Sequence, residues 1–336
     1  MKRSILFLTV SLFALAGFGQ ATNDFYDNTP SRKLPGSLKI EVSGEVANPG
    51  TVDLERLPLR SLIVRESRLE KDGAAFVGAF RYEGYSLLDI LNDRVAARAH
   101  GAGFKPQTDL MVAVENAAGE KAVLSWGEIY YPAALHRVLI AAAAAPIIPN
   151  ETKENWPLAG GVKLVCANDL LGERGILNPT RITVFTAPLE IPDKKGLQPL
   201  TAANFQVLRP GQPPAAFAAT ALPAEKRTFP SAFYGRGKGF HGFQRFSGVP
   251  LAEALRSYVA LDSETLRRGY LVAASIDGYR IAMSCRELFN RNDQAEFLLL
   301  DRGEGSDGGR FAIFPAADFF SDRALKAVSA IHILAY

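Results

Sequence analysis

Arg81-Tyr82-Glu83-Gly84-Tyr85-Ser86-Leu87-Leu88-Asp89-Ile90-Leu91 has a second version later in the same chain, Arg245-Phe246-Ser247-Gly248-Val249-Pro250-Leu251-Ala252-Glu253-Ala254-Leu255. Each reads as an aromatic residue, a turn glycine and then a short amphipathic helix with apolar residues at helical spacing. Self-similarity of this kind is the signature of an internal repeat, and the flanking sequence extends it in order. Leu110-Met111-Val112-Ala113-Val114 stands against Tyr270-Leu271-Val272-Ala273-Ala274, and both are strand-like. A turn follows in each copy, with Gly119 against Gly278. Val123-Leu124-Ser125-Trp126-Gly127-Glu128-Ile129 then matches Ala282-Met283-Ser284-Cys285-Arg286-Glu287-Leu288. In both, Ser begins a short helix with an acid three residues on, which is the pattern of a capping box.

The copies also end alike. Gly161 to Val165 matches Gly309 to Ile313, Asp169 falls against Asp318, Arg174 against Arg323, and Arg181-Ile182-Thr183-Val184 against Ala330-Ile331-His332-Ile333. The separation falls from 164 residues at Gly84/Gly248 to 159 at Ser125/Ser284 and 149 at Arg174/Arg323, so the second copy carries deletions where loops belong. Between the copies, residues 187–204 are polar and proline-rich, as linkers are. Phe205-Gln206-Val207-Leu208 opens the second copy where Ile40-Glu41-Val42-Ser43-Gly44 opens the first, a weaker pairing than the others. The division read from the sequence is residues 1–21, 37–186, 187–204 and 205–336.

Composition sets the class. A chain of 336 residues suggests about two domains. Apolar residues at 48% and charged residues at 22% exclude disorder, collagen and coiled coil as descriptions of the whole. Lys plus Arg is 38 against 35 for Asp plus Glu, so a nucleic-acid partner is not expected. Lys2 and Arg3 precede an apolar run, Ile5 to Phe18, and then the small residues of Gly19-Gln20-Ala21. That is the layout of a cleaved Sec-type signal peptide, and it predicts a periplasmic or secreted protein. The run is shorter than the roughly 20 residues a membrane span needs, and nothing later approaches one, so no stable membrane insertion is expected after cleavage. Cys166 and Cys285 would then mature in an oxidising compartment, where a bridge and two buried free thiols are both open.

The first copy contains a specific opening, Leu38-Lys39-Ile40-Glu41-Val42-Ser43-Gly44-Glu45-Val46-Ala47-Asn48-Pro49-Gly50, continuing into Val52 to Pro58. Together with Gly84 to Leu91, Gly161 to Val165, Arg174 and the closing Thr180 to Val184, it resembles the molybdopterin-binding domain of the sulfite-oxidase family. The resemblance covers most of residues 37–186 and, more weakly, 205–336. It implies an α+β fold of two tandem sulfite-oxidase-like molybdopterin-binding-type domains, with mixed, mainly β sheets and few helices.

Catalytic members of that family ligate molybdenum through a Cys thiolate, a soft ligand suited to the metal. It lies between the opening strands and the Gly-containing helix start. Here that region is Ser61 to Phe80, with no Cys, and the corresponding Thr228 to Gln244 has none either. Ser67 lies near the ligand position. The family's exported enzymes leave folded through a twin-arginine signal, and Lys2-Arg3-Ser4-Ile5 holds no Arg pair. The resemblance thus implies a pseudoenzyme: no cofactor is expected, and no metal ligand is assigned, with molybdopterin kept as the alternative.

Candidate binding residues are basic. Lys226 to Arg245 is a basic, aromatic, glycine-rich stretch in which Arg236 and Lys238 suit an anion and the rings suit a flat group. Arg65, Arg68, Arg81, Arg236, Lys238 and His241 are the candidate anion pocket. A solvated mobile loop is the other reading of that stretch. His100, His136, His241 and His332 are scattered, without zinc spacing. Asp169/Arg174 and Asp318/Arg323 read as ion pairs steadying the closing loop, and Glu128 and Glu287 as helix caps. The function expected is binding or assembly, toward a protein partner or a small anionic ligand. The alternatives are a periplasmic molybdopterin-dependent oxidoreductase with unusual metal ligation and a small anionic ligand binder.

Overall fold

The computed structural model describes residues 29–98, 103–149, 151–222, 224–293 and 295–336. The signal-peptide segment 1–21 and His100 lie outside the described residues. The first half runs β1 (Arg32–Lys33), β2 (Lys39–Gly44), β3 (Gly50–Asp53), β4 (Leu59–Glu70), β5 (Gly73–Ser86), α1 (Leu87–Asn92), β6 (Leu110–Asn116), β7 (Lys121–Ser125), α2 (Trp126–Tyr130), β8 (Val138–Pro146), β9 (Lys163–Cys166) and β10 (Pro179–Thr186). The second runs β11 (Gln206–Leu208), β12 (Ala215–Ala216), β13 (Arg227–Gly235), β14 (Gly239–Pro250), α3 (Leu251–Leu255), α4 (Ser263–Arg268), β15 (Gly269–Ser275), β16 (Arg280–Ser284), α5 (Cys285–Phe289), β17 (Phe297–Asp301), β18 (Phe311–Pro315) and β19 (Val328–Ala335). Strands dominate and the helices are few and short.

The strands form four sheets, two per half, and the halves repeat each other. One sheet is ordered β3-β2-β10-β6-β7, and its counterpart β12-β11-β19-β15-β16 matches it strand for strand. The opening strand of each half lies parallel to the closing strand, Val42 beside Ile182 and Val207 beside Ile331. The other sheet runs from the β4–β5 hairpin through β8 to β9, as β13–β14 runs through β17 to β18. The short β1 adds to β8 from outside the expected 37–186 unit, pairing Arg32 with Ala144.

The apolar runs of β6 and β15 follow from burial on both faces, which removes the polar side of the usual alternation. Leu110, Val112 and Val114 face the first half's own core, as Leu271 and Ala273 face the second's. The intervening residues Met111 and Ala113, with Val123 of β7, pack against Tyr270 and Val272 of β15 and Ala282 of β16 in the other half. The sheets β3-β2-β10-β6-β7 and β12-β11-β19-β15-β16 therefore meet at an apolar seam.

The structure corrects one expectation. Gly84 and Gly248 do not form turns; each lies inside the strand that leads into its helix. A Cβ would stand 2.2 Å from the Ile140 carbonyl oxygen at Gly84 and 2.4 Å from that of Leu299 at Gly248, so glycine is there for close strand approach. Residues 187–204 carry no strand, yet they are a packed strap. Leu189 and Ile191 join the seam cluster, and Lys194 N–H donates to the Asp277 carbonyl at 2.7 Å. Gly119 and Gly278 do occupy turns, with φ of +85° and +87°.

Candidate functional site

At the end of the seam the two capping boxes meet. Ser125 and Ser284 each accept the N–H of the acid three residues on, and each acid returns a bond to its serine's N–H. The hydroxyls also cross between halves: Ser284 donates to Glu128 at 2.9 Å, and Ser125 donates to Glu287. Arg174 holds Asp169 at 2.8 and 3.0 Å and Glu128 at 2.9 and 3.0 Å. Arg323 holds Asp318 at 2.7 Å through two nitrogens and Glu287 at 2.8 Å. All of these side chains are buried. Burial works to raise the Glu128 carboxyl, but the Arg174 guanidinium overrides it and holds the group below the usual carboxylate value.

One asymmetry of the lattice involves Gly127. Gly127 stands where the second half has Arg286, and a Cβ at Gly127 would lie 2.3 Å from the Arg323 guanidinium. Arg286 reaches back to Asp169 of the first half. Its side chain is buried, and its Nη2 has no hydrogen-bond partner. The lattice is a clamp between halves, and its carboxylates are engaged by arginines rather than open to a substrate.

Beside the clamp lies a cleft of about 480 Å³. Arg65 of β4 and Arg137, just ahead of β8, supply its cations, and Asn168 and Asn292 its amides. Ile63, Ala79, Ile147 and Ala167 make apolar walls. The two halves meet at the floor, where Asn292 N–H donates to the Asn168 carbonyl at 2.9 Å; within the first half, Ala167 N–H donates to that of Arg137 at 2.9 Å. Arg137 Nε is oriented by the Asn168 side-chain oxygen at 3.2 Å. Asp293 also lines the cleft, but Arg291 grips both its oxygens at 2.8 Å, so its charge is answered. Burial works to raise that carboxyl and the Arg291 hydrogen bonds override it, leaving it below the ordinary aspartate value. Arg65 makes no ion pair or side-chain hydrogen bond among the described residues. A cleft with one free guanidinium, one oriented one and apolar walls suits a small organic anion.

The six basic residues singled out from the sequence lie on two different hairpins. Arg65, Arg68 and Arg81 are on β4–β5, whereas Arg236, Lys238 and His241 are on β13–β14. Arg65 lines the cleft. Arg68 pairs with Glu70 at 2.6 Å, and Arg81 lies 3.7 Å from Glu83 and donates to the Thr29 carbonyl at 2.9 Å. Arg236 pairs with Asp322 at 3.0 Å, donates to the Tyr131 hydroxyl at 3.1 Å and lies over the Tyr131 ring. Lys238 sits in the turn of the second hairpin, and His241 packs its ring against Phe233 at 5.8 Å. Arg137, Asn168 and Asn292 escaped the sequence reading. Their repeat neighbours Asp169 and Arg174 were visible, but a cleft formed by loops of both halves has no local motif.

The residues do not fit a thiolate-held metal. Cys166 ends β9 and Cys285 begins α5, both as buried free thiols. Burial pushes each thiol up to about 12, where it stays protonated at neutral pH. The region Ser61 to Phe80 forms the two long strands of a hairpin, and the Ser67 carbonyl accepts the Gly172 N–H at 2.7 Å. Among the described residues no group of three or more His, Cys, Asp and Glu side chains is arranged to hold a metal, and no helix is long and apolar enough to cross a membrane. A scan against protein-family models matches none, and a search of curated proteins finds no significant match.

Proposed function

We propose that this chain is an exported, non-catalytic binding protein, built from two tandem domains similar to the sulfite-oxidase molybdopterin domain and taking a small organic anion in the cleft at their seam. The observation that carries the reading is the unpaired Arg65 beside the oriented Arg137, opening on apolar walls. Two thiols held protonated in the core favour a binding role over a molybdenum-dependent one. The duplicated order of strands and the leader-like residues Lys2 to Ala21 support the tandem and exported parts of the proposal.

The test is molybdenum by mass spectrometry on protein from its native compartment, together with binding of benzoate and phosphate by calorimetry. The expected result is no stoichiometric metal, benzoate binding that exceeds phosphate binding, and a loss of about tenfold or more in Arg65→Ala, the scale of one charge-assisted hydrogen bond. Stoichiometric molybdenum, or anion binding that Arg65→Ala and Arg137→Ala leave unchanged, would overturn it.

A further inference from the structure

The hairpin β13–β14 differs from its counterpart in the first half. There, β5 pairs with β8 from Phe80 to Ser86. Here, β14 pairs with β17 only at Val249 and Pro250, so residues 227–248 form a two-stranded arm outside that ladder, its tip held where Arg236 pairs with Asp322 and reaches Tyr131. One face of the arm is anchored: Phe233 packs on Phe246 at 5.3 Å, and Phe246 stacks on Phe314 at 3.8 Å.

The other face is aromatic and open. Tyr234 and Phe240 are paired across the ladder, the rings of Phe240 and Phe243 meet at 5.3 Å, and Tyr234 reaches Phe319 at 5.8 Å. Phe243 is 86% exposed, Phe240 56%, Phe319 55% and Tyr234 40%. Isolated exposed rings need no explanation, but four gathered on one face do. The charge pattern is equally one-sided. Residues 226–252 contain five Lys and Arg and no Asp or Glu. Arg227 and Arg236 are spent on Glu253, Glu296 and Asp322. Lys238 at the turn is exposed, as is Arg245 two residues beyond Phe243 on the same strand face, and neither has an ion pair among the described residues.

We infer that this arm docks the protein on an anionic lipid surface. The rings would enter the headgroup region while Lys238 and Arg245 meet lipid phosphates. A cluster of exposed rings beside unpaired cations suits a bilayer interface, which conforms to it. A protein partner would need a broad complementary patch of roughly 800 Å² on each side. Strand addition at the β13 edge is opposed by Pro230 and the flanking cations. The inference rests on the arm alone and is independent of the anion cleft.

The test is flotation of the mature protein, freed of residues 1–21, with mixed phosphatidylglycerol–phosphatidylcholine vesicles against pure phosphatidylcholine vesicles. The expected result is binding to the anionic vesicles that weakens as salt rises. Phe240→Ser with Phe243→Ser, and separately Lys238→Glu with Arg245→Glu, should each cut binding by about tenfold or more. These side chains are exposed, so the thermal midpoint of each variant should match the parent. A reporter variant, Phe243→Trp, should show on anionic vesicles a blue shift of its difference spectrum against the parent, which carries Trp126 and Trp156, and it needs no loss of binding to be read. Absence of vesicle binding, equal binding to both vesicle types, or a reporter spectrum that stays that of a hydrated indole would overturn the inference.

Discussion

The Ser284 hydroxyl donates to the Glu128 carboxylate at 2.9 Å, and so the helix cap of each half is completed by the other. Separating the halves would part Arg286 from Asp169, break both cross-half serine–glutamate bonds, and expose Met111, Val123, Tyr270 and Val272 to water. These losses are costly, the first because a buried charge without its partner is strongly destabilising. The expected behaviour is therefore a single cooperative unfolding transition for the whole chain. Calorimetry checks this directly: two resolved transitions, or a van't Hoff enthalpy about half the calorimetric one, would mean that the halves unfold separately.

Gly127 makes room for Arg323. An added Cβ would lie 2.3 Å from its Nη1, in a place where the guanidinium is held by Asp318 and Glu287 and has no free direction to move. Gly127→Ala should therefore destabilise by about 3 kcal/mol, the combined scale of overpacking and a weakened buried ion pair. Gly237→Ala is the control, since nothing lies within 4 Å of a Cβ there. Urea midpoints of the two variants should separate clearly.

Glu128 gives the clamp a pH dependence. Burial alone would raise its carboxyl, but Arg174 prevails, and the folded-state value lies below the ordinary one. Such a group stabilises the fold at pH above its unfolded value, and the contribution is lost as pH falls through the folded value. Asp318 acts in the opposite sense, because burial raises it above 3.8 and its contribution fades as pH rises. Replacing Glu128 by Gln should therefore flatten the loss of stability between about pH 5 and pH 3 and lower stability at pH 7. Denaturant midpoints at pH 7, 5 and 3 measure both effects. An acid limb as steep in Glu128→Gln as in the parent would assign the acid sensitivity to other carboxylates.

Much of this architecture was legible in the chain because each repeated block carries a local physical reason. The Ser125 and Ser284 capping boxes, the turns at Gly119 and Gly278, and the Asp169/Arg174 and Asp318/Arg323 pairs are short-range patterns, and the structure contains all of them. What escaped depends on the meeting of the halves. Gly84 reads as a turn until the Ile140 carbonyl is placed against it. Glu128 and Glu287 read as caps alone, because their second partners, Ser284 and Ser125, are 156 and 162 residues away. The cleft residues Arg137, Asn168 and Asn292 come from loops of both halves, and no periodicity marks such a meeting.

The two thiols provide the most direct check on the cofactor argument. Cys285 is fully enclosed among the second half's core residues, and a Cβ at Gly269 would lie 2.6 Å from its sulfur, so the packing around it is tight. Cys166 lies on the first half's core, beneath the Asp169 and Arg174 pair. For both, loss of hydration disfavours the thiolate, which is the reactive and metal-binding form. The native protein should accordingly resist a disulfide reagent such as Ellman's at pH 8, and both thiols should react when denaturant unfolds the chain. Rapid reaction of one thiol in the folded protein would place a thiolate within reach of solvent and revive a metal-ligating role for it. Stoichiometric labelling of neither thiol even after unfolding, restored by reductant, would instead reveal a disulfide and require the two halves to be arranged differently, since in this fold the cysteines are separate and free.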